Sequence, residues 1–81
     1  MMSVPAYTPV DCTTYALFEL AILKGEGLRM RWRSRLQQAH VATLFPENLR
    51  TRWHSEFLIA RDYQGKRYVL RLDRIQRIQE L

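Results

Sequence analysis

Apolar side chains recur every three or four positions between residues 12 and 24 of the chain. This spacing gathers them on one side of a helix, and it therefore predicts an amphipathic helix over that range. Asp11 is suited to cap the first turn, because its carboxylate can accept hydrogen bonds from free backbone N–H groups. Gly25 follows the last predicted turn and favours the conformation that commonly ends a helix. The predicted helix face consists of Tyr15, Phe18 and Ile22, widened by Leu17, Leu20 and Ala21.

After Gly27 the period of the pattern changes to two, which indicates strands. Residues 28–33 alternate between apolar side chains and arginines, as is typical of a strand with one buried face. Gly65 predicts a hairpin turn over residues 62–66, and Pro46 predicts a break with a loop or short helical turn over residues 45–50. Further strands are predicted at residues 36–44, 51–61, 67–72 and 75–78.

One helix followed by four or five short strands predicts an α+β domain that is mainly β. A short chain buries one sheet face most economically when the sheet curls nearly closed and the helix covers an end. We therefore expect an N-terminal helix packed on a small, bent antiparallel barrel of the Sm-like or SH3-like kind. Pro5 and Pro9 restrict the residues before them to extended conformations, so residues 1–10 are predicted to form an extended arm. Residues 11–81 form the single predicted domain.

Composition excludes several classes of protein. Among the 81 residues, 47% are hydrophobic and 11% are aromatic, which is too apolar for an intrinsically disordered chain. No apolar run approaches the roughly 18 residues that a transmembrane helix requires, so no membrane partner is expected. Cys12 is the single cysteine, so the cysteine count excludes an intrachain disulfide and favours the cytoplasm as the compartment.

Residues suited to catalysis or metal binding form no recognisable motif in the sequence. There is no glycine-rich phosphate loop, no GxSxG nucleophile elbow and no HExxH zinc motif. His40 and His54 belong to different predicted strands, and together with Cys12 they lack the spacing of metal ligands. We therefore expect a binding protein that uses no cofactor and no metal, and not an enzyme.

Charge gives the first indication of a partner. Lys and Arg number 13 against 8 Asp and Glu, so the formal net charge is +5. Arg29, Arg31 and Arg33 share one face of the first strand at a spacing of ~6.8 Å, which is close to the phosphate repeat of an extended nucleic acid. This row either binds single-stranded RNA or forms a solvated face that blocks edge pairing. In the RNA interpretation, the residues that add to the surface are Arg50, Arg52, Arg67, Arg71, Trp32 and Trp53.

Two short motifs carry a resemblance to a known family. The first is Tyr7-Thr8-Pro9-Val10-Asp11-Cys12, followed by Tyr15 and by Glu19-Leu20-Ala21. The second is Leu70-Arg71-Leu72-Asp73-Arg74-Ile75, near the end of the sequence. Together, and in this order, they are similar to the pattern of the Rho-binding antiterminator family, also called Rof. The resemblance covers roughly residues 7–78.

The resemblance implies an N-terminal helix on an Sm-like barrel, the fold that the hydrophobic pattern also predicts. It further implies binding to the N-terminal RNA-binding domain of the transcription terminator Rho. Such binding blocks the loading of RNA and so suppresses Rho-dependent termination. The implied contacts are Tyr15 and Glu19 on the helix, and Glu47, Asn48, Arg50 and Arg52 in a loop over residues 46–52.

The sequence therefore supports two hypotheses. In the first, a monomer binds Rho through its helix and the 46–52 loop, while Cys12 and Leu20 lie in the core with Ala21. In the second, single-stranded RNA binds directly to Arg29, Arg31 and Arg33. Because the net charge is +5, the first hypothesis requires the carboxylates of Asp11 and Glu19 to lie apart from the arginines.

Overall fold

The computed structural model describes residues 7–81, and residues 1–6 of the predicted arm lie outside the described part. Helix α1 spans Cys12–Lys24, as predicted. Asp11 Oδ1 accepts a hydrogen bond from the backbone N–H of Thr14 at 2.7 Å, and this bond lowers the pKa of the Asp11 carboxyl. Gly25 ends the helix with a φ of 66°, in the left-handed region that favours glycine. No helix in the range 7–81 is both long enough and apolar enough to cross a bilayer.

Five strands follow the helix: β1 Leu28–Arg33, β2 Ala39–Arg52, β3 Ser55–Arg61, β4 Arg67–Arg71 and β5 Ile75–Glu80. They form one antiparallel sheet in the order β4-β3-β2-β1-β5. A 3₁₀ turn over Leu72–Arg74 joins the two edge strands, β4 and β5. The prediction of an α+β domain, mainly β, with an N-terminal helix packed on an antiparallel sheet, is confirmed.

The longest strand, β2, is shared by the two halves of the sheet. Its first half pairs with β1, and its second half, from Phe45 onward, pairs with β3. The predicted break over residues 45–50 is therefore wrong, because the chain remains in the sheet there. The register shifts between Pro46 and Asn48, and such a bulge bends a strand and accommodates a proline that lacks an N–H donor. The strand also begins at Ala39, later than predicted.

The core lies between α1 and the inner face of the sheet. The helix contributes Phe18 and Ala21. Strand β1 contributes the alternate residues Leu28, Met30 and Trp32, because successive strand side chains point to opposite faces. Two residues predicted to be in the core are not there: Leu20 is 47% exposed, and Cys12 is exposed at the start of the helix. The largest fully buried side chains are Phe18, Met30, Leu44, Leu58 and Leu72.

Residues 7–10 have no helix or strand, and two side chains hold this segment against the body. Tyr7 and Val10 contact the core, and the Tyr7 hydroxyl donates to Glu56 Oε1 at 3.0 Å. Burial, with a further contribution from this hydrogen bond, raises the pKa of Tyr7 to about 12.

Asp73 links this segment to the end of β4. Asp73 Oδ2 accepts a hydrogen bond from the backbone N–H of Thr8 at 2.9 Å, and its Oδ1 accepts from Arg71 Nε at 2.6 Å. The Arg71 and Asp73 side chains are only 10% and 9% exposed. The Arg71 guanidinium also lies 5.9 Å from the centre of the Tyr7 ring. We call Tyr7, Thr8, Arg71 and Asp73 the Asp73 clasp.

Candidate nucleic-acid interface

The hairpin between β2 and β3 turns on two residues, Trp53 and His54. Their φ values are 55° and 60°, so both adopt the left-handed conformation of a two-residue type I′ turn. That conformation costs an ordinary L-residue roughly 1–2 kcal/mol. β3 begins at Ser55 rather than at the predicted residue 51, because residues 51 and 52 complete β2. The turn presents the Trp53 ring to solvent, with 82% of the residue exposed.

Beside the Trp53 ring lies a groove formed by β2, β3 and β4, with a volume of about 440 Å³. The register explains its lining, since Arg50 pairs with Phe57 and Ile59 pairs with Val69 on the same face. The Arg52 guanidinium lies 6.0 Å from the centre of the Trp53 ring. We call this site the Trp53 groove, and its lining residues are Arg50, Arg52, Trp53, Phe57, Ile59, Arg67 and Val69.

Of residues 7–81, no carboxylate lines the Trp53 groove. Alternation along β3 turns Glu56 to the opposite face, where it accepts the hydrogen bond from Tyr7. A second depression, of about 290 Å³, adjoins the groove and shares Phe57 and Val69 with it. Positive charge is therefore concentrated around apolar and aromatic side chains on this part of the surface. The arginines of the adjoining depression are Arg33, Arg35, Arg71 and Arg74, of which Arg71 is paired with Asp73.

The three arginines of the predicted row on β1 differ in exposure and in their neighbours. Arg29 and Arg31 are exposed and lie opposite Gln79 and Arg77 of β5. Arg33 is half-buried, and its Nη1 donates to the carbonyl oxygen of Gln37 at 2.9 Å, in the connection between β1 and β2. Sequence patterns do not indicate Arg77, because the pairing of β5 with β1 depends on residues far apart in the chain.

The two helical residues of this chain that the resemblance implies as contacts with Rho differ in exposure. Glu19 is exposed on α1, whereas Tyr15 is half-buried and contacts the core. Beside Glu19, Leu20 and Leu23 extend the exposed part of the helix, with 47% and 83% of their surface accessible. The outer side of α1 therefore combines a carboxylate with aliphatic side chains.

The predicted Rho-binding loop over residues 46–52 is part of strand β2, so it does not exist as a loop. Two of its polar side chains have partners within the chain: Glu47 Oε2 accepts from Arg61 Nε at 2.9 Å, and Asn48 Oδ1 accepts from the backbone N–H of Leu49. The two arginines of this segment, Arg50 and Arg52, line the Trp53 groove.

Trp32 and the histidines do not form a binding site together. Trp32 is only 5% exposed, so its predicted role as a stacking surface for bases is wrong. Its ring stacks on His40 with 5.6 Å between the ring centres, while His54 lies in the Trp53 turn. In the described part of the chain, no three His, Cys, Asp or Glu side chains are grouped to hold a metal ion.

Comparison with known proteins bears on the fold. No protein-family model matches the chain, and no curated protein gives a significant match. Among solved structures, the chain is similar to proteasome accessory factor B/C of Arthrobacter aurescens, with a TM-score of 0.77 and 21% sequence identity. The match covers 96% of this chain and 13% of that chain. At this level of identity the two proteins share a fold, and the comparison extends no further.

Proposed function

We propose that this chain binds single-stranded RNA through the Trp53 groove and acts as a binding module without catalysis. The observation that carries the proposal is that Arg50, Arg52 and Arg67 line the same groove as an exposed tryptophan. Proteins bind single-stranded nucleic acids in this way, because cationic side chains neutralise the phosphates and aromatic rings stack on the bases. The adjoining depression extends the positive surface and includes Arg33 of the predicted row.

The conformation of the turn also supports this function. Asn-Gly is favoured in a type I′ turn, yet here a bulky ring stands at a φ of 55°. Backbone strain of this kind is concentrated at functional sites. A tryptophan that is 82% exposed contributes little to the core, so contact with a ligand is the better reason for its presence.

Fluorescence anisotropy of a short single-stranded RNA, titrated with protein over a range of salt concentrations, tests the proposal. We expect the logarithm of the affinity to fall linearly with the logarithm of salt, with a slope of roughly −0.7 per phosphate contacted. Arg67→Gln removes one cation from the Trp53 groove, so the affinity at low salt should fall and the slope should become shallower by roughly 0.7.

Lys24→Gln is the matched control for this titration. It also removes one positive charge, but from the last turn of α1, so its slope should equal that of the unchanged protein. If RNA fails to bind at low salt, or if all three proteins have the same slope, the Trp53 groove is not an RNA site.

A second candidate is the binding of Rho in transcription antitermination, as the family resemblance implies. The observation that favours it is the outer side of α1, where Glu19 adjoins Leu20 and Leu23, which are 47% and 83% exposed. A carboxylate among aliphatic side chains complements a protein surface with basic groups, whereas it would repel RNA phosphates. Both candidates are proposed for a monomer in the cytoplasm, the compartment that a single cysteine favours.

Direct binding to the N-terminal domain of Rho tests the second candidate. Glu19→Arg reverses the charge on the outer side of α1 and should weaken the complex by about tenfold or more, because like charges then face each other. Gln64→Arg adds a positive charge to an exposed turn outside α1 and should leave the affinity unchanged. Failure to form a complex would refute this candidate, and so would equal affinities of the unchanged protein and Glu19→Arg.

A further inference from the structure

Strands β1 and β5 bring three arginines together at a site that shares no lining residue with the Trp53 groove. Arg31 pairs directly with Arg77 across the two strands, and Arg29 lies two residues along β1, opposite Gln79. An open pocket of about 230 Å³ lies among these side chains. Its lining residues are Arg29, Met30, Arg31, Val41, Arg77 and Gln79.

A bulge in β5 produces the pairing of the two arginines. Ile75 and Ile78 both contact the core, although residues an odd number of positions apart face opposite sides of a regular strand. The register shifts beside Trp32, so that Ile75 pairs with Trp32 while Arg77 pairs with Arg31, and Gln76 is the extra residue. The irregularity that turns both isoleucines toward the core therefore also sets Arg77 opposite Arg31.

Like charges directly opposite each other on neighbouring strands destabilise a sheet. Among residues 7–81, no salt bridge includes Arg29, Arg31 or Arg77. No carboxylate from this part of the chain lines the pocket between the three arginines. Glu80 of β5 alternates away from this face and lines a pocket beside α1 instead. Planar guanidinium groups bind tetrahedral oxyanions through paired N–H donors, so three of them around one pocket match a phosphate group.

We infer that this pocket binds a phosphate group, which offsets the repulsion between Arg31 and Arg77. The ligand is inorganic phosphate or a phosphate carried by single-stranded RNA, two sources with the same chemistry. The inference does not depend on the proposed function, because the two sites have different residues.

Thermal unfolding in inorganic phosphate, compared with chloride at the same ionic strength, tests the inference. The unchanged protein should show a rise in Tm of a few degrees that saturates with phosphate, because a ligand of the folded state alone stabilises that state. Arg77→Gln should lose this phosphate-specific rise, and in low-salt chloride its Tm should exceed that of the unchanged protein, since the cross-strand repulsion is gone. Arg77→Lys keeps the charge without the planar donors and should show an intermediate rise.

Arg31→Gln tests the same pair from β1 and should reproduce the result for Arg77→Gln. A phosphate-specific rise that is equal in the unchanged protein and both variants would overturn the inference, as would no rise beyond that in chloride. Trp53→Ala separates the two sites, because it should weaken RNA binding while keeping the rise in phosphate. Thermal unfolding at saturating RNA identifies the source of the phosphate. If inorganic phosphate then causes no further rise in Tm, RNA phosphates occupy the pocket. If the rises in Tm caused by RNA and by inorganic phosphate add, a separate anion occupies it.

Discussion

Replacing the Trp53-His54 turn by Asn-Gly should raise the stability of the fold. Both residues now adopt the left-handed conformation, which asparagine tolerates and glycine adopts without steric cost. The relieved strain amounts to about 1–2 kcal/mol at the glycine position and less at the asparagine position. The lost contact between Arg52 and the ring offsets about 0.5–1 kcal/mol. Even a net gain of about 1 kcal/mol should raise the Tm of a domain of this size by roughly 4–8 °C.

The same double variant, W53N/H54G, should lose affinity for single-stranded RNA. Stacking of one base on an aromatic ring contributes about 1–3 kcal/mol, which corresponds to roughly a 5- to 150-fold loss of affinity. Thermal unfolding and RNA anisotropy on the same preparations measure both effects. H54G alone is the matched control, because it relieves strain and keeps Trp53, so it should gain stability at unchanged affinity. If W53N/H54G binds RNA as tightly as the unchanged protein, the Trp53 ring has no role in RNA binding.

The parts of the fold that the sequence predicts well depend on local signals. α1 has a capping carboxylate at Asp11, a helical period and a left-handed Gly25, and all three act within a few residues of the helix. β1 likewise follows from alternation alone, since its burial pattern repeats every two residues. Neither element needs a distant partner to fix its bounds.

The misplaced parts depend on distant partners instead. Pro46 gives the same local signal whether the chain leaves the sheet or bulges within it, and pairing with β3 decides between the two. The contact of both Ile75 and Ile78 with the core likewise requires a bulge that forms only against β1. Local sequence therefore locates an irregularity without showing its form.

The residues of the candidate site likewise divide into those that local sequence predicts and those that depend on distant pairing. Alternation with Leu28 and Met30 already predicts that Trp32 faces inward, so its use as a stacking surface conflicts with the strand pattern, and the residue is buried. Trp53 could be proposed from its residue type, but the turn that exposes it has no Asn-Gly signal. Arg77 becomes part of a site only through its register with β1.

The two motifs that carry the resemblance to the Rho-binding antiterminators contact each other in this fold. Thr8 of the first motif donates to Asp73 of the second, and the Arg71 guanidinium lies over the Tyr7 ring. These contacts explain Tyr7, Thr8, Arg71 and Asp73 of the motifs by their roles in the fold. The proposal that the chain binds Rho therefore depends on the outer side of α1 rather than on the motifs.

The Asp73 clasp should be highly sensitive to a single substitution. Asp73→Ala removes the carboxylate from an arginine whose side chain is only 10% exposed and also removes the acceptor of the Thr8 N–H. Removing one partner of a buried ion pair costs about 3–5 kcal/mol, so the Tm should fall by roughly 12 °C or more. Urea unfolding followed by circular dichroism measures the loss of free energy directly.

Glu47→Ala is the control that isolates burial, because Glu47 and Arg61 form an ion pair of similar length with side chains that are 43% and 47% exposed. An exposed pair contributes about 1 kcal/mol or less. Asp73→Ala should therefore lose several times more free energy of unfolding than Glu47→Ala. Asp73→Asn keeps an acceptor for Thr8 without the charge, and it should therefore fall between Asp73→Ala and the unchanged protein. Equal losses for Asp73→Ala and Glu47→Ala would show that residues 7 and 8 are held mainly by the Tyr7 ring and its hydrogen bond to Glu56, and that the Asp73 carboxylate contributes no more than a surface contact.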